Sequence, residues 1–392
     1  MFKIYEYIIK LICLFISQKN RRKTRNNLLM KPAIIKKNIK SILSYLKFLK
    51  NKVPANTILM IEPNPYHFEL MPGFYKYFHK LGYNIEIMAQ PGLARDSPFI
   101  NNQKPLHIYL LSPFFQKKAL KQNKTKEYDL VFLNTSVLWA DGVRNSYINW
   151  LNFEPKGKRG LMLIEHNIFP YVKEYGHEKY INQYRSFTLR GQNKTTMLNP
   201  HYFGDVKITK KSGKNVFSVI INEKENIDFL LTTCKNIIHT GIKNFEIIIT
   251  GRTVINNISE DLTKFIKITG EITFDKLWKI YEESDFIISM LNPDIKNHSR
   301  YKESTTTGTW QTMLGFLKPI LIHAEFAPYY YLDESNSIIY KCNSLLTEAI
   351  IKCINMTNEE YEELQKNIQN LEKDIFDQSF KNLKKSLEII AN

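Results

Sequence analysis

The 392-residue chain, 43% hydrophobic with ordinary Gly and Pro content, has the size for two α/β domains with cores and excludes a fibrous, disordered or disulfide-stapled class. Its formal charge of +17 is concentrated. Fourteen Lys/Arg and a single acid, Glu6, fall within residues 1–52, so that segment carries +13 and the other 340 residues only +4, and no basic stripe interleaved with aromatics marks a nucleic-acid surface.

In chain order, the first element is an amphipathic segment. Lys3, Glu6, Lys10 and Ser17 share one narrow helical face, and Ile4, Ile8, Leu11, Ile12, Leu14 and Phe15 cover most of the rest. A basic run from Lys19 to Arg25 follows. Lys10 interrupts the apolar stretch, and no small-residue cleavage site follows it. The expectation is a helix lying in an anionic membrane surface without spanning it, so residues 1–52 are read as a membrane-associating segment. The four cysteines form no C-x-x-C pair, so neither zinc nor a redox couple is indicated and a reducing cytoplasm fits.

Residues 53–209 read as a first α/β domain. Thr57–Glu62 is a buried strand ending in the loop Pro63-Asn64-Pro65-Tyr66-His67-Phe68-Glu69. A helix over Phe74–Leu81 and a strand over Tyr83–Met88 follow, then strands at Ile108–Leu111, Leu130–Asn134 and Leu161–Ile164. The last strand ends in Glu165-His166-Asn167. There is no G-x-G-x-x-G, so a dinucleotide site is not indicated.

Residues 210–356 read as a second α/β domain, with strands at Val216–Ile221, Phe245–Thr250, Phe286–Leu291, Ile320–His323 and Ile338–Tyr340. Helices are expected at Ile227–His239, Phe274–Glu283 and Leu345–Cys353. The small-residue loop Ser304–Gly308 opens a further helix, where hydroxyls and unpaired N–H groups make a seat for a diphosphate. Residues 357–392 read as one or two charged helices.

Several of these features fall in a familiar order: Gly270, Ser284-Asp285, Glu303, Gly308 and Lys318-Pro319. This run resembles the donor domain of GT-B glycosyltransferases, family 4 above all. Its paired glutamates are matched by Glu303 and then by Gln311, which departs from the pattern. The first domain is similar to bacterial surface-glycan glycosyltransferases with an H-G-E loop before P-G: here His67-Phe68-Glu69, then Pro72-Gly73. Asn199-Pro200-His201-Tyr202-Phe203 resembles their hinge-side P-x-x-F.

The resemblance implies a GT-B architecture: two Rossmann-like domains facing across a cleft, with the C-terminal helices packed back on the first. It implies transfer of a sugar from a nucleotide-sugar donor to a lipid-linked or surface glycan, as in lipopolysaccharide core or capsule biosynthesis. Glu69, His67 and His166 become candidates for acceptor contact and proton removal. Lys224, Gly251, Arg252, Glu303, Ser304, Thr305, Thr306 and Gly308 become candidates for holding the donor. No cofactor or metal is expected, because a helix dipole and basic residues can neutralise the leaving diphosphate. The expected partners are the nucleotide-sugar, the lipid-linked acceptor and the anionic inner face of the cytoplasmic membrane, with no nucleic acid. Two alternatives share the fold: an inactive glycan-binding or assembly protein, and a nucleotide-sugar epimerase.

Overall fold

A computed structural model describes residues 32–91, 97–100, 103–121, 123–140, 143–168, 176, 185–192, 195–221, 224–251 and 258–391. The expected interfacial helix of residues 1–25 and the candidate Arg252 lie outside the described residues, as does the side chain of Lys224.

The first sheet has seven strands, all parallel. They are β1 (Thr57–Glu62), β2 (Asn84–Ala89), β3 (His107–Leu110), β4 (Leu130–Leu133), β7 (Leu161–Ile164), β8 (Ser186–Thr188) and β9 (Thr196–Met197), in the order β3-β2-β1-β4-β7-β8-β9. A separate antiparallel hairpin pairs β5 (Val137–Ala140) with β6 (Val143–Ser146). The central strands are apolar on both faces, because helices cover both sides. Helices α1 (Pro32–Lys50), α3 (Pro113–Leu120) and α4 (Tyr147–Leu151) bury Tyr45, Phe48, Leu120 and Tyr147 on one face. Helix α2 (Met71–Lys80) buries Phe74, Tyr77 and Phe78 on the other.

The second sheet runs β12-β11-β10-β13-β14-β15, again all parallel. Its strands are β10 (Val216–Ile220), β11 (Glu246–Thr250), β12 (Ile266–Gly270), β13 (Phe286–Ile288), β14 (Ile320–His323) and β15 (Ile338–Tyr340). Helix α5 (Lys224–His239) covers one face; helices α6 (Phe274–Glu283) and α8 (Gly308–Phe316) cover the other, with the short α7 (Arg300–Glu303) before α8. Helix α9 (Leu346–Asn355) packs beside α5. In both sheets the strand order reverses beside the first strand, between β1 and β4 and between β10 and β13. Such switch points open a crevice at the carboxyl ends of the strands.

Two of the residues in the expected motifs hold the second sheet together. Asp285, 3% exposed, accepts from the Ser212 N–H (2.6 Å) and the Val216 N–H (2.7 Å), which fixes the connecting segment to the start of β10. Lys318, also 3% exposed, reaches Thr209 Oγ1 at 3.3 Å, and burial lowers its pKa.

The final helix, α10 (Asn358–Ala391), is a single element of 34 residues, about 50 Å long at 1.5 Å per residue. Tyr361 packs in the core beneath α5, Ile368 and Ile375 pack with α8, and Leu383 and Leu387 enter the core of the first sheet. Segment 199–204 runs between the two sheets and is gripped from both sides. A Cβ at Gly73 in α2 would stand 2.3 Å from Pro200 O, and one at Gly315 in α8 would stand 2.2 Å from His201 O. Both helices approach that backbone more closely than any side chain permits.

Candidate functional site

The two switch points face each other. The floor on the first-sheet side is built at the ends of β1, β4 and β7. The Glu62 carboxylate ends β1 fully buried and accepts three hydrogen bonds: from Asn64 N (2.8 Å), Asn134 Nδ2 (2.5 Å) and Thr135 Oγ1 (2.8 Å). Glu165, at the end of β7, accepts from Ser136 Oγ at 2.7 Å. The end of β4, Asn134-Thr135-Ser136, therefore supplies donors to two buried carboxylates at once.

His67 and His166 meet above this floor. Their rings stack 4.2 Å apart at 19°. His67 has a left-handed backbone, φ 65°, which costs a non-glycine residue on the order of 1 kcal/mol and is held by the Asn134 Nδ2–H bond to its carbonyl (2.8 Å). Its Nδ1 stands 3.8 Å from Glu69 Oε1, an ion-pair distance, and both side chains keep 34% exposure. His166 Nε2 lies 2.8 Å from Asn134 O. A carbonyl only accepts, so Nε2 carries the proton and Nδ1 is the ring's acceptor in the neutral form.

The surroundings push the two imidazoles apart in proton affinity. For His67, burial lowers the pKa, but the Glu69 and Glu62 carboxylates outweigh it and the net direction is upward. For His166, burial and the neighbouring His67 charge drive the pKa well down against the pull of the Asn134 carbonyl. Burial raises Glu62 to about 7, opposed by His67 and by its three donors.

The second-sheet side touches this cluster directly. Thr305 Oγ1 donates to His166 O at 2.8 Å, and Ile168 N donates to Ser304 O at 3.1 Å. The Thr305 hydroxyl thus joins the two halves in this arrangement. Thr307 caps α8, its hydroxyl accepting from Thr309 N at 3.3 Å. Gly308 follows as the first helical residue, and a Cβ there would meet open space. Near this helix start, Thr306 Oγ1 and both Gln311 amide atoms are buried without a hydrogen-bond partner among the described residues, as is Ser289 Oγ just past β13. Buried polar atoms are normally satisfied, so this cluster is suited to a polar ligand or to water. Glu303, exposed, ends α7 just before Ser304.

Beside Tyr66 the cleft widens into a cavity of about 340 Å³, bounded by Thr250, Gly251, Gly270 and Glu271 at the ends of β11 and β12. Gly251 (φ 133°) and Gly270 (φ 66°) turn the chain there in conformations that side-chain-bearing residues rarely adopt. Tyr66 meets the His67 ring edge-on at 4.9 Å, so the cavity, the imidazole pair and the Thr305 loop are contiguous.

Arg190, which no sequence motif marks, clamps the same place. Only 3% exposed, it donates to Tyr329 O (2.7 Å), Lys302 O (3.1 Å) and Thr305 O (3.4 Å), and lies over the Tyr330 ring at 4.6 Å. Glu62, Asn134 and Glu165 were likewise unmarked by any motif. Among the described residues, no cluster of three or more His, Cys, Asp or Glu side chains is placed to hold a metal ion.

No protein-family model and no curated protein sequence matches the chain. Solved structures do. A glycosyltransferase from Rickettsia africae is similar over 87% of this chain and 100% of its own, at 14% identity and a TM-score of 0.55. HepE from Anabaena, solved with UDP and glucose, is similar over 84% of this chain and 97% of its own, at 12% identity and a TM-score of 0.50. The fold is GT-B. In GT-B terms, the cleft between the two sheets is the place where His67, Glu69 and His166 from one side meet Ser304–Gly308 from the other.

Proposed function

We propose that this protein is a glycosyltransferase that moves a sugar from a nucleotide-sugar to a hydroxyl of a lipid-linked or surface glycan, the chemistry of lipopolysaccharide core or capsule assembly. The observation that carries the reading is the contact of the two switch points: a histidine–carboxylate cluster on one side, and on the other a capped helix N-terminus ringed by unsatisfied polar atoms. The donor's nucleoside lies in the cavity beside Tyr66 and Gly270, and its diphosphate at the start of α8, near Thr306 and Gly308.

In the reaction, the acceptor oxygen bonds to the anomeric carbon as the bond from that carbon to the diphosphate oxygen breaks. Glu69, paired with His67, takes the acceptor proton. The α8 N-terminus, with Lys224 and Arg252, stabilises the departing diphosphate, so the proposal requires no metal. His166 stays neutral and packs against His67, keeping that ring in the cleft.

A peripheral position on the inner face of the cytoplasmic membrane belongs to the same proposal, with residues 1–25 as the anchor. The outer face of α1 supports it: Lys40, Leu43, Leu46, Lys47 and Lys50 are exposed there, and the helix has no acidic residue. No helix among the described residues is long and apolar enough to cross a membrane.

A panel of nucleotide-sugars in a thermal-shift assay, followed by turnover of the binders, tests the function. A ligand at 100 times its Kd stabilises by about 2.7 kcal/mol, enough to be seen.

A further inference from the structure

Glu62 is the most enclosed ionisable group in the cleft, and nothing in the proposed reaction uses it. Its position explains why it is there. The Asn134 amide that donates to Glu62 Oε2 gives its other hydrogen to His67 O, and the Asn134 main-chain carbonyl accepts from His166 Nε2. The Asn64 N–H, in the loop that carries His67, is tied to Glu62 Oε1. One carboxylate therefore reaches the backbone of His67 by two routes and the ring of His166 by one.

We propose that Glu62 is the positioning residue of the His67–His166 pair: through Asn134 it fixes where both rings stand, and its carboxylate is the internal counter-charge of a protonated His67. The proposal rests on the reading of His67 as the partner of Glu69 in removing the acceptor proton.

The groups facing His67 come from several elements. Glu69 is on its own turn, Glu62 ends β1, His166 follows β7 and the Tyr66 ring meets it edge-on. Further out, the Tyr147 hydroxyl of α4 is raised first by burial and then by the Glu62 charge. Across the interface, Tyr281 of α6 is raised by burial, with Glu69 adding to it. Of these, Glu62 and Glu69 are the anions that hold a proton on His67, while His166 opposes them. Burial lifts Glu62 to about 7 and its interaction with His67 lowers it, so each group's ionisation depends on the other's.

Histidine-labelled NMR of the full chain tests this without any turnover, the His67 signal being assigned by its loss in His67→Gln. Glu62→Gln is expected to lower the His67 midpoint by about 1 pH unit, the size of a nearby opposite charge, and Glu62→Asp to keep it near the wild-type value. In kinetics, Glu62→Gln should move the alkaline limb of kcat, where His67 loses its proton, to lower pH and leave the donor KM unchanged. A fall in kcat with both midpoints unmoved would reduce Glu62 to a structural residue and overturn the proposal. If Glu62→Gln does not fold, carboxyl-carbon and imidazole titrations of the wild-type chain decide the matter. A shared inflection in Glu62 and His67 supports the coupling, and independent midpoints refute it. The NMR arm stands or falls apart from the glycosyl-transfer reading, which fails only if no nucleotide-sugar binds and turns over.

Discussion

Two imidazoles lie face to face in the cleft, and the residues around them push their proton affinities in opposite directions. The carboxylates beside His67 raise its pKa, whereas burial and the neighbouring His67 lower that of His166, whose Nε2 faces the Asn134 carbonyl. If Glu69 takes the acceptor proton, Glu69→Gln keeps the shape and removes the base, and turnover at neutral pH should fall by about 100-fold or more. Activity within tenfold of wild type would exclude Glu69 from that role. His166 also has a signature in stability. Its folded pKa lies below the ordinary value, so the unfolded chain binds the extra proton, and this residue's contribution is lost as pH falls through about 6.5. His166→Gln retains a donor for Asn134 O, and its melting temperature should fall less steeply than wild type between pH 7 and pH 5. Glu62 and Arg190 could not be read at this scale from the sequence. The Glu62 donors Asn134 and Thr135 lie 72 and 73 residues away, and Arg190 binds main-chain carbonyls, which no residue type or spacing announces.

Among the elements, legibility followed burial. Strands enclosed on both faces are continuous apolar runs, and Thr57–Glu62, Leu161–Ile164, Ile320–His323 and Ile338–Tyr340 have the expected limits. The expected strand Phe286–Leu291 stops at Ile288, since the apolar residues Met290 and Leu291 are buried beyond the sheet. Helix α2 starts at Met71 rather than Phe74, because Pro72 sits in the first turn, where its missing N–H costs nothing. Strands β8 and β9, three and two residues long, and the β5–β6 hairpin are too short to leave a periodic trace. Helix α8 yields a direct test. Gly308 faces open space, so Gly308→Trp should fold, yet its indole would cover the helix start and abolish nucleotide binding. Calorimetry showing unchanged affinity would remove the diphosphate from that place. Gly315, in the same helix, is the opposite case: Gly315→Ala would collide with His201 O and should lower the melting temperature.

At the scale of the molecule, three devices hold the two sheets in register: the α10 helix with side chains in both cores, segment 199–204 gripped by Gly73 and Gly315, and the Arg190 clamp. The first two keep the sheets together whatever the cleft contains, whereas Arg190 acts at the Lys302–Thr305 segment itself. Arg190→Ala leaves three carbonyls without that donor, each a loss of about 1 kcal/mol, and Arg190→Lys should not restore them, since an ammonium cannot reproduce the planar fork. Both variants should bind nucleotide-sugar more weakly, as read by calorimetry. The two-sheet plan was legible from the alternation of strands and helices; the joining of the halves was not, because it depends on contacts between residues more than a hundred positions apart, such as Arg190 with Lys302 and Tyr329.

Under the proposed function, the cleft binds a nucleotide-sugar and releases a nucleoside diphosphate. The most direct measurement is calorimetry of the purified full chain with a panel of nucleotide-sugars, run beside an assay for nucleoside diphosphate release on a glycolipid acceptor. At least one donor should bind, binding should be lost in Gly308→Trp, and Glu69→Gln should still bind that donor but release little diphosphate. Failure of every nucleotide-sugar to bind, or full turnover by Glu69→Gln, would contradict that function.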